Sequence, residues 1–137
     1  MPTDAEQSKT GIYRGENFES LYANNVQFQP FEWDLKVIFG ELDVLPDKPN
    51  ELVVEQHTAI TIPWLQAKLA VYYLSLQVAV HEMTHERIRI PTALIPPEPT
   101  RPTGDMADDP TAIKVYEHIK ATRERFLAAS SLLGDLA

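Results

Sequence analysis

The sequence predicts an α+β protein, a short antiparallel β-sheet packed on one long helix, with a C-terminal helix after a proline-rich linker. Three observations support this. Apolar and polar residues alternate in short runs between Ala23 and Ile62, and apolar residues recur three and four apart from Pro63 onward. Six of the 11 prolines then crowd between Pro91 and Pro110.

In chain order, residues 1–20 have Gly11 and Gly15 and little apolar periodicity, which suits a flexible N-terminal arm. In Ala23 to Gln29, Val26 and Phe28 alternate with polar residues. In Glu32 to Phe39, Trp33, Leu35, Val37 and Phe39 share one face, and Asp34 and Lys36 point away as solvated charges. In Glu51 to Ile62 the alternation puts Leu52, Val54, Ile60 and Ile62 on one face. Pro30 separates the first two runs, and Leu45 to Asn50, with Pro46 and Pro49, separates the second pair. Links this short favour antiparallel neighbours.

Pro63 suits a first helical position, where a missing N–H costs nothing, and the helix is expected to run to about Glu86. Leu65, Leu69, Tyr72, Leu76, Ala79 and Met83 form its core stripe, with Tyr73 at the edge. Val71, Leu74 and Val78 fall on the opposite side. They read as an interface, covered by the C-terminal segment or by another subunit. Arg87 to Ile90 alternates again and reads as a short strand. Residues 92–110 form an extended linker, read mainly as a spacer, although Pro96-Pro97-Glu98-Pro99 also has the form of a ligand for an aromatic groove. Asp109 and Pro110 make a cap and first position for a final helix in 111–137, where Val115, Ile119 and Phe126, beside Tyr116, form a narrow docking stripe. Residues 21–91 are thus the expected core domain.

Composition excludes several classes. The 137 residues suffice for one domain, and without cysteine there is no disulfide framework, thiol catalysis or thiolate metal site. A net charge of -8 with 12 scattered Lys and Arg argues against nucleic acid as a partner. Nothing in Met1 to Ser20 has the form of a signal peptide, and Trp64 to Val80 is too polar for a membrane span. A soluble, cytoplasmic protein with no membrane partner is expected.

One motif carries chemistry. His81-Glu82-Met83-Thr84-His85 matches H-E-x-x-H, in which two imidazoles four residues apart on a helix bind one zinc ion and the glutamate acts as general base. The alternative is two surface histidines that happen to be four apart. Glu86 and Arg87 follow where zinc peptidases usually carry uncharged and apolar residues. No third ligand has a recognisable spacing, since Glu98 lies in the linker and Glu117 and Glu124 lie on the final helix. His57 beside Glu55 reads as a surface neighbour rather than an acid–base pair, for want of a nucleophile.

A set of spaced elements carries a resemblance. Tyr22-Ala23-Asn24-Asn25-Val26, Trp33-Asp34-Leu35 and Ile38-Phe39-Gly40 come first, then Ile60-Thr61-Ile62-Pro63, Ala67-Lys68-Leu69 and Ile88-Arg89-Ile90-Pro91. Together, over about residues 21–91, they resemble the bacterial domain-of-unknown-function family 3467. The resemblance implies an α+β domain with no established activity. It implies that the residue before the motif's glutamate varies and is often aromatic, so His81 looks like a substitution. It also implies a glycine near position 86, where this chain has Glu86. The combined expectation is a non-enzymatic interaction or assembly domain, self-associating or bound to another protein, with no cofactor. The alternative is a small zinc-dependent metallohydrolase using Glu82, His81 and His85.

Overall fold

A computed structural model describes residues 10–45 and 47–132. It contains strands β1 (Asn25–Pro30), β2 (Asp34–Leu45) and β3 (Lys48–Pro63), then helices α1 (Trp64–Thr84) and α2 (Pro110–Leu132). The three strands form one antiparallel sheet in the order β1-β2-β3, so the α+β class is as the sequence predicts. The chain divides into a unit ending at Leu69 and a unit beginning at Ala70.

In the first unit, β2 is the unbroken central strand and serves as a ruler. Val26, Phe28 and Pro30 of β1 stand opposite Phe39, Val37 and Leu35. Across β2, Leu35, Val37 and Phe39 stand opposite Ile62, Ile60 and Thr58. Directly paired residues share a face, so these apolar side chains line one side of the sheet. The β1–β2 turn is held locally. The Phe31 N–H donates to the Asp34 carbonyl at 2.9 Å, and the Trp64 indole N–H donates to the Phe31 carbonyl at 3.0 Å. The Lys36 ammonium lies 5.5 Å from the Phe31 ring centre.

One expectation for β3 is corrected. Phe39 pairs with Thr58 but Gly40 pairs with Gln56, leaving His57 as an extra residue. Such a bulge reverses the alternation of the strand beyond it. Leu42 therefore faces, with Val54, the side of Ile38 rather than that of Val37, and Val44 pairs with Leu52. Leu52 and Val54 do not share a face with Ile60 and Ile62, because the extra residue at His57 reverses the alternation between them.

Gly40 is what the bulge requires. A Cβ there would lie 2.7 Å from the Glu55 carbonyl oxygen and 2.9 Å from Val54 Cγ1. It is the one buried residue among those whose burial is described. Strands β2 and β3 also run further than the sequence suggests, and Pro49 falls within β3. β3 is an edge strand, where a proline can sit with no ladder bond lost.

Helix α1 begins at Trp64, directly after Pro63 at the end of β3. The stripe expected to be core is exposed: Leu65 is 72% and Met83 84% accessible, and no residue of α1 is buried. The reason lies in its composition. Apolar residues surround the helix, so no single face concentrates them. Tyr72 and Tyr73, expected at the core and its edge, are exposed and stack edge to face at 5.2 Å.

Residues 87–90, expected as a strand, have no strand pairing. The Ile88 N–H is instead taken by the Glu82 carboxylate at 3.0 Å, which closes the helix end locally. The linker is more than an extended spacer. It contains two short 3-10 turns, Thr92–Leu94 and Gly104–Met106, and its Pro96 carbonyl accepts from Arg123 Nε at 2.9 Å. Asp109 caps α2 as expected, its carboxylate accepting the Thr111 N–H at 3.0 Å.

Candidate functional site

The two histidines of the motif lie side by side. The His81 and His85 rings stack with centroids 4.7 Å apart and planes 15° from parallel. Ring-nitrogen lone pairs lie in the ring plane, so those of two parallel stacked rings do not converge on one point. His85 Nδ1 lies 2.9 Å from the Thr84 hydroxyl, and that hydroxyl donates to the Val80 carbonyl at 2.8 Å. Glu82 is engaged with the Ile88 N–H. No group of three or more His, Asp or Glu residues able to hold a metal occurs among the described residues.

His57, expected as a surface residue of the third strand, is exposed there and has two partners. Its Nε2 lies 3.0 Å from the Tyr22 carbonyl and its Nδ1 lies 2.8 Å from the Thr58 hydroxyl. A carbonyl only accepts, so Nε2 carries the proton in that bond. The imidazole thus fastens the segment before β1 to the bulge in β3. Leu21, Tyr22, Glu41, Glu55 and His57 line an open cleft of about 280 Å³ there. Asn24, next along, continues the work of β1 with its side chain. Its Oδ1 accepts the Leu42 N–H at 2.6 Å, where no strand residue is paired on that side. Sequence reasoning gave neither Asn24 nor Gly40 a structural role, although both fall within the elements that carry the family resemblance.

The surface of α1 is apolar and has no buried residue. Val71, Leu74 and Val78, expected as an interface, are 66%, 67% and 40% accessible. Leu65, Leu69, Tyr72, Leu76 and Met83, on the other side, are exposed as well. Between Trp64 and Thr84 the only Lys, Arg, Asp or Glu residues are Lys68 and Glu82. A helix with this composition normally has neighbours on several sides. On α2, Ile113, Tyr116 and Leu127 are half-buried, whereas the expected docking stripe of Val115, Ile119 and Phe126 is exposed.

No family model, curated protein or solved structure matches the chain. Among the described residues, no helix is long and apolar enough to cross a membrane.

Proposed function

We propose that this protein is a non-enzymatic interaction or assembly domain that associates with itself or another protein through α1. One observation carries this: the helix is apolar on opposite sides, and none of its residues is buried. Contiguous apolar surface of this extent marks interaction sites on soluble proteins. In this reading the protein works in the cytoplasm, takes no cofactor and has no nucleic-acid partner, in keeping with a net charge of -8 and the absence of cysteine.

Sedimentation equilibrium on the full chain tests the reading. Association that strengthens with protein concentration is expected, and a monomer at all accessible concentrations overturns self-association. Elemental analysis after titration with zinc is expected to show less than one tightly held ion per chain. Stoichiometric zinc that is lost in His85→Ala would favour the zinc-dependent hydrolase, with His81 and His85 as ligands and Glu82 as base.

A further inference from the structure

We infer that the partner of α1 is a second copy of the same helix, paired antiparallel about the level of Leu74. This rests on the assembly reading and names its occupant. Leu65, Leu69, Tyr72, Leu76, Ala79 and Met83 are spaced four, three, four, three and four residues apart, the repeat of a two-helix seam. All six are exposed. The set is symmetric about position 74, the middle of Trp64–Thr84. In an antiparallel pair Leu65 therefore meets Met83 of the second copy, Leu69 meets Ala79 and Tyr72 meets Leu76. Every layer is apolar, and the smallest side chain falls opposite a leucine.

Charge supplies the second argument and sets the direction. Lys68 and Glu82 each precede a seam residue by one position, so both lie on the same flank, with Ser75 midway between them. In an antiparallel pair that flank faces its own copy. Lys68 of each chain then lies beside Glu82 of the other, twice per dimer, and Ser75 meets Ser75. The Glu82 carboxylate uses one oxygen for the Ile88 N–H, and its second oxygen can meet the ammonium. In a parallel pair Lys68 falls beside Tyr73 and gains no counter-charge. The only carboxylate and ammonium of the helix thus complement each other in one arrangement, and that arrangement is self-pairing. Val71, Leu74 and Val78 stay on the outer side of the pair.

Charge reversal in the full-length protein tests this by sedimentation equilibrium, with circular dichroism confirming that each variant is folded. Lys68→Glu alone and Glu82→Lys alone should each weaken self-association roughly tenfold, because two attractive contacts become two repulsive ones. An equimolar mixture of the two variants should form a heterodimer of native affinity, since each reversed residue then faces its complement. Self-association indifferent to both reversals would overturn the antiparallel pairing and leave the assembly reading standing. Variants weakened alone but not rescued by mixing would also overturn it. A native chain that stays monomeric would overturn the pairing and self-association alike.

Discussion

The sheet and helix α1 hold their conformations by different means. In the sheet, specific groups close the structure from within. Asn24 completes a ladder rung, Gly40 admits the close approach of β3, and the Trp64 indole secures the β1–β2 turn. Along α1 the backbone bonds are internal to the helix, while its Leu, Val and Tyr side chains remain exposed. Polar and small residues therefore determine the first region from inside. The apolar residues of the second are left exposed.

Substitutions should separate the two regions. The largest effect is expected for Gly40→Val, whose Cβ meets the Glu55 carbonyl. Chemical denaturation should show a loss of about 3 kcal/mol, with association affected only through the fraction unfolded. Leu76→Ala should do the reverse. It should weaken self-association by about 2 kcal/mol in sedimentation while leaving the sheet's amide exchange unchanged. If Leu76→Ala instead melts the sheet, the contrast between the regions is wrong. Asn24→Ala leaves the half-buried Leu42 N–H without its acceptor and should cost about 1.5 kcal/mol, seen as faster exchange at that amide. Asp109→Ala should cost about 1 kcal/mol, confined to fraying of the first turn of α2.

Much of the fold was legible in the sequence, for reasons that name its limits. Alternation located all three strands and Asp109-Pro110 marked the start of α2, while Pro63, expected as the first helical residue, is the last residue of β3 and α1 starts one residue later. These signals are local. The bulge was not legible, because nothing in Gln56-His57-Thr58 announces an extra residue. It depends on Gly40, 17 positions before His57 on the neighbouring strand. The strand expected at residues 87–90 failed for a similar reason, since the Glu82 carboxylate had already taken the Ile88 N–H. For the candidate site, the sequence placed both histidines on one helix face but could not give their ring orientation. It also identified two apolar sides of α1 and assigned one of them to a core, because burial is a property of neighbours that periodicity does not contain.

The bulge at His57 gives β3 a phase boundary. On its C-terminal side, even-numbered apolar positions such as Ile60 and Ile62 face the side of the sheet that Val37 faces. On its N-terminal side the same parity faces the other way. Removing His57 alone would leave the pairs on both sides of it in register and take away only the extra residue. Adding a residue between His57 and Pro63 without a second bulge would turn either Ile60 and Ile62 or Leu52 and Val54 to the opposite face. The strand therefore has one position at which its length can change at no cost in register, the histidine that already stands outside the ladder.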